Sequence, residues 1–117
     1  MLNIEISEPA ITDLRNVEQY AIENYDDEKA ERYFDLIDIT LKDIARDPES
    51  IVATRLFDND GKVWSRPLSA SKWRGVTHVR SPRHMIVYTL EYEGLAYVLR
   101  ILHDSRDIET QLEHFSE

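Results

Sequence analysis

His103 closes the apolar run "LAYVLRIL", three residues after Arg100 and three before Arg106, while Arg83 and His84 open the apolar run before it. An imidazole can give or take a proton near neutral pH, and guanidiniums can hold a phosphate. RNA cleavage by the 2'-hydroxyl needs a base, an acid and cations for the developing phosphate charge. On that reading His103 is the acid or base, and Arg83, Arg100 and Arg106 hold the phosphate. A second reading makes the same side chains contacts for a protein partner. Arg100 and Arg106 then pair structurally with Asp104 or Asp107, and His103 is a hydrogen-bonding residue at a strand end. Asp104, next to His103, would repel a scissile phosphate and weighs against the first reading.

Other groupings carry less chemistry. His78, His84 and His103 fall on separate segments with no carboxylate at ligand spacing, so no metal site is expected. The run "DNDG" at 58–61 has its glycine too early for a calcium loop and no closing glutamate, and reads as a turn. Trp64 and Trp73 lie beside sheet segments, where aromatic residues usually build core. No cofactor is implied.

These residues need elements to position them. "LNIEI" alternates apolar and polar residues, the signature of a half-buried strand. Ser7-Glu8-Pro9 then supplies a cap, an acid for the helix dipole and a proline fit for a first turn. The first helix runs to about Asn24-Tyr25, with Ile11, Leu14, Val17, Ala21 and Tyr25 on the buried stripe and Asp13, Arg15, Glu18 and Glu23 elsewhere. Asp26-Asp27 caps a second helix whose stripe is Ala30, Tyr33, Ile37, Leu41 and Ile44, and Asp47-Pro48 ends it. So short a link makes the two helices an antiparallel hairpin. Residues 48–71 are the least determined, although "RLFDNDGKVW" suits a small hairpin. From Lys72 three strands are expected in meander order, "KWRGVTHVR", "RHMIVYTLEY" and "LAYVLRILH", followed by a short closing helix at "RDIETQLEHF".

The expected fold is α+β: an N-terminal strand and antiparallel helical hairpin packed on a small antiparallel sheet, with a short C-terminal helix. Both parities of the last two strands are mostly apolar, so both faces of the sheet should be covered, one by the helices and the other by the closing helix and the loop 48–71, either fully or with a remainder left for a partner. At 117 residues the chain fits one domain, 1–117. It has no cysteine, and no leader or membrane-length apolar run stands out, which suggests a cytoplasmic protein. The net charge of -9 is uneven: residues 1–50 carry 14 acidic and 5 basic side chains, the remainder 9 of each. Direct nucleic-acid binding is not expected from such a balance. Lys72, Arg74, Arg80, Arg83, Arg100 and Arg106 make the last strands a basic pole, whereas the acidic helices read as a solvated face.

The order of elements, the helix ending "LKDIARDPE" and above all "RHMIVYTLEYEGLAYVLRILHDSRD" resemble the ParE branch of the ParE/RelE toxins of bacterial type II toxin-antitoxin systems. Arg83, His84, Ile86, Val87, Tyr88, Gly94, Leu102, His103, Arg106 and Asp107 fill the places of that family's pattern. The likeness covers residues 2–47 and 72–113, and 48–71 is longer than the family pattern leads one to expect.

The resemblance implies a plasmid-stabilisation toxin that arrests growth by inhibiting DNA gyrase and is neutralised by a cognate, ParD-like antitoxin in a hetero-oligomeric complex. The alternatives are a RelE-like ribosome-dependent messenger endoribonuclease, with His103, Arg83 and Arg106 as its catalytic set, or a non-toxic interaction member. RelE-like chains carry an arginine where this one has Met85, which favours the protein-binding, non-enzymatic reading. Arg74, Arg80, Arg83, Arg100, His103 and Arg106 would then meet the target, and Tyr33, Ile37, Leu41, Met85 and Val87 the antitoxin.

Overall fold

A computed structural model describes residues 1–56, 62–71 and 82–103. The chain begins with strand β1 (Asn3–Ile6), then helices α1 (Glu8–Asn24) and α2 (Asp27–Arg46). Four strands follow: β2 (Thr54–Arg55), β3 (Val63–Pro67), β4 (His84–Thr89) and β5 (Leu95–His103), with one turn of 3-10 helix at Leu68–Ala70. They form a single sheet in the order β1-β5-β4-β3-β2.

The helix starts follow from the expected caps. Ser7 Oγ accepts the Ala10 N–H at 3.1 Å, and Asp26 accepts the Lys29 N–H at 2.8 Å, so each satisfies an amide that the first turn leaves without a helical partner. Residue 47 ends α2, its N–H still bonded to the Asp43 carbonyl. Gly94 supplies the turn between β4 and β5 with a positive φ of 73°, a conformation that glycine adopts without a Cβ clash.

One feature of the sheet differs from the expected antiparallel meander. β1 lies parallel to β5, pairing Asn3 with Leu95 and Ile6 with Val98, so the sheet is mixed. On the far side the small hairpin expected around 55–64 is present, with Thr54 opposite Ser65 and Arg55 opposite Trp64. The strand expected at 72–80 and the closing helix at 106–115 lie outside the described residues.

A bulge interrupts β5. Val87 faces Arg100 but Tyr88 faces Val98, leaving Leu99 as an extra residue. Because side chains alternate faces, one inserted residue exchanges the two faces beyond it. Ala96 and Val98 point to the helices before the bulge; after it Ile101 does, joining Ile86 and Tyr88 in the core. Without the bulge, Arg100 and Leu102 would take that face.

Both helices cover this face with Ala10, Val17, Ala21, Tyr33, Leu36, Ile37 and Ile44. On the other parity Val87 and Leu102 are also buried, while Met85 is half-buried. Ile11, expected on the α1 stripe, is 43% exposed, and Asp13, expected outside it, is 6% exposed. Asp43, expected on a solvated acidic face, is likewise buried and accepts the Ser71 hydroxyl at 2.7 Å.

Candidate functional site

The bulge, α1 and the first residues of β4 meet at one end of the sheet. β1 pairs with β5 only as far as Val98, and the edge beyond it is taken over by side chains of α1. Ser7 Oγ, besides capping the helix, donates to the Leu99 carbonyl at 2.9 Å. Asp13 Oδ2 accepts the Ile101 N–H at 2.9 Å. These two side chains continue the ladder that the missing strand would have made, so that buried backbone groups stay paired.

The same carboxylate grips Arg100 in a fork, with Nε to Oδ2 at 2.6 Å and Nη2 to Oδ1 at 2.9 Å. That hydrogen bonding raises the Arg100 pKa above its ordinary value against the opposing effect of burial. Arg100 is therefore tied to Asp13 across 87 residues of sequence, while Asp104 and Asp107, its expected partners, lie outside the described residues.

Beside this pair lies a cluster of rings. His84 is 6% exposed, and its ring packs edge-on against Tyr20 at 4.9 Å, His103 at 5.2 Å and Tyr33 at 5.6 Å. Tyr25 stacks on Tyr33 at 5.6 Å, and Tyr20 also meets His103 at 5.6 Å. The Tyr33 oxygen accepts the Arg83 backbone N–H at 3.1 Å and lies 2.5 Å from His84 Nδ1. Burial raises the Tyr25 pKa, with the Tyr20 hydroxyl adding to the effect and Arg83 opposing it.

A cavity of about 420 Å³ opens between α1 and β5, lined by Asp13, Asn16, Val17 and Tyr20 on the helix and by His84, Arg100 and His103 on the sheet. The arrangement offers imidazole, guanidinium and amide donors around one volume. Among the described residues no three His, Cys, Asp or Glu side chains come together as a metal site would require.

Of the residues expected to meet a target, Arg83 is exposed, His103 is half-buried at the cavity, and Arg100 is tied to Asp13. Arg74, Arg80 and Arg106 lie outside the described residues. The residues expected to meet an antitoxin do not form one surface. Tyr33, Ile37 and Val87 are buried, whereas Leu41 and Met85 are half-buried.

Asp13, Asn16 and Tyr20 escaped the sequence reading. A usable signal was present for Asp13, since Ala10, Asp13, Val17 and Ala21 keep the 3-4-4 spacing of one helical face. An acid on such a stripe implies a buried cationic or amide partner.

No helix of the described structure is long and apolar enough to cross a membrane. Residues 4–108 match the family profile described as ParE toxin of type II toxin-antitoxin system, parDE. No curated protein matches the chain.

Proposed function

The chain belongs to the ParE toxin family of type II toxin-antitoxin systems, and we propose that it arrests growth by binding DNA gyrase and is neutralised by a cognate antitoxin. What supports a protein target over RNA cleavage is the state of Arg100. On the ribonuclease reading Arg100 is one of the guanidiniums that could hold the scissile phosphate, and here the fork to Asp13 occupies its Nε and Nη2. The neighbouring carboxylate would also repel phosphate. Met85, where RelE-like chains carry arginine, removes a second cation from the strand. Arg83 is exposed and suited to meeting a protein surface. Leu41 and Met85 are the accessible apolar residues for an antitoxin segment that orders as it binds.

Expression of the chain alone in a bacterial host tests this reading. Growth arrest with induction of DNA-damage signalling and gyrase-dependent DNA cleavage is expected, together with relief by the small antitoxin encoded beside the gene. Arrest with intact DNA and vanishing messenger RNA would overturn it in favour of the ribonuclease. In that case His103→Ala should abolish cleavage. A chain without effect on growth would be a non-toxic member of the family.

A further inference from the structure

At the end of the sheet opposite His84 and His103, the turn between β4 and β5 carries "EYEG" at 91–94. Its backbone is well tied. The Thr89 hydroxyl accepts the Glu91 N–H at 3.2 Å, the Tyr92 carbonyl accepts the Leu95 N–H at 3.2 Å, and Gly94 supplies the positive φ. Tyr92 is nevertheless 52% exposed, and its ring meets that of Tyr97 edge-on, with centroids 6.0 Å apart and planes at 80°. Two rings at a right angle make a corner that is partly open to water. Ala96 and Val98 belong to the core beneath the helices, so Tyr97 lies on the sheet face turned away from them. Its register partner on β1 is Glu5, and Glu5, Glu91 and Glu93 are all exposed. No ion pair among the described residues involves any of these three acids. Aromatic faces are themselves electronegative, so rings and carboxylates act in the same sense and attract a cation.

We propose that this corner docks an arginine or lysine side chain carried on an extended basic segment of a protein partner. The cationic head lies against Tyr92 and Tyr97, and Glu5, Glu91 and Glu93 face its charge. Charge complementarity selects this occupant. The same carboxylates repel nucleic-acid phosphate and anionic lipid, and a wholly apolar segment would offer them nothing. Arginine is favoured over lysine, because its planar, weakly hydrated guanidinium stacks on a ring. Such an exposed contact is modest and screened by salt, and it sets the orientation and choice of partner more than the affinity. The corner goes beyond the gyrase reading and stands or falls separately from it.

Titration of the full chain with the peptide acetyl-Gly-Arg-Gly-Arg-Gly-amide, followed by backbone amide resonances in about 0.15 M salt, tests this. Saturable shifts centred on 91–97 and Glu5 are expected, and the same peptide with neutral citrulline in place of arginine should leave them unmoved. Tyr92→Ala should weaken binding about threefold, while Tyr92→Phe, which keeps the ring, retains it. Glu5→Gln should weaken it about twofold, whereas Glu31→Gln, which removes an equal charge from an exposed position on α2, leaves it unchanged. All four substitutions fall at exposed positions, so an unaltered circular dichroism spectrum is expected. Shifts spread over the acids of both helices, binding indifferent to Tyr92→Ala, or equal losses in the two glutamate variants would reduce the effect to net charge and overturn the proposal. Sedimentation of the chain alone tests the rival occupant: a dimer that Tyr92→Ala dissolves would give the corner to a second copy and overturn it as well.

Discussion

Three hydrogen bonds converge on the Asp13 carboxylate, two from Arg100 and one from the Ile101 backbone. Removing the acceptor leaves a guanidinium and an amide without it in a largely dry place, and that penalty exceeds what the bonds contribute in net terms. Asp13→Ala should therefore cost about 2–4 kcal/mol, below the value for a fully buried pair because Arg100 keeps part of its side chain in water. Asp13→Asn keeps an acceptor for Ile101 and should cost about 1–2 kcal/mol. The combined change Asp13→Leu with Arg100→Met removes both charges at once and should cost less than the sum of its single changes. Urea denaturation of these variants and of the single changes Asp13→Leu and Arg100→Met checks all three expectations, and strict additivity would sink the coupling. Single residues of this kind are the hardest to read in a sequence. Ile11 draws the helical stripe toward itself by its hydrophobicity, yet it is exposed, and the polar residue two places on is inside.

Ser7 works at the scale of elements, because one hydroxyl ends β1, starts α1 and extends the edge of β5. It accepts from Ala10 and donates to the Leu99 carbonyl. Ser7→Ala should lose about 1 kcal/mol as a cap and about 1 kcal/mol more from the cross-element bond. Asp26, which caps α2 at an exposed position, has only the first of these roles, and Asp26→Ala should cost about 1 kcal/mol. Equal losses in the two variants, measured by thermal unfolding at one pH, would show that the Leu99 bond adds nothing. The helix boundaries could be read in advance because caps and proline act locally, at Ser7, Asp26 and Pro48. The bulge at Leu99 could not. β5 is apolar on both parities, so a one-residue slip leaves the hydropathy pattern unchanged while moving Ile101 to the core and Arg100 away from it.

Over the whole molecule, the helical layer is fastened to the sheet at both ends. The Tyr33 contact with His84 closes one end, and Tyr88, whose hydroxyl donates to the Pro48 carbonyl at 2.5 Å, closes the other beyond the end of α2. Tyr88 is fully buried, and none of this long-range fastening is visible in local spacing. The alternation in β1 likewise announced a strand but not its parallel seat on β5, which depends on how the helical hairpin returns the chain. Burial pushes the Tyr88 pKa from 10.0 up to about 12, with Arg66 opposing the shift and Asp47 and Glu49 adding to it. Its folded pKa thus lies above the unfolded value, so the folded state favours the neutral phenol. The corresponding stability is fully present below pH 10.0 and is lost as pH rises through about 12. Tyr25, also raised by burial, acts in the same direction. Alkaline titration followed by circular dichroism and tyrosinate absorbance should show unfolding coupled to phenol ionisation in that window. Tyr88→Phe should be less stable at neutral pH by about 1 kcal/mol, having lost the bond to Pro48, yet show a shallower fall on the alkaline side. If the variant declines as steeply as the parent chain, the alkaline limit belongs to other groups, and Tyr88 contributes only its hydrogen bond and packing.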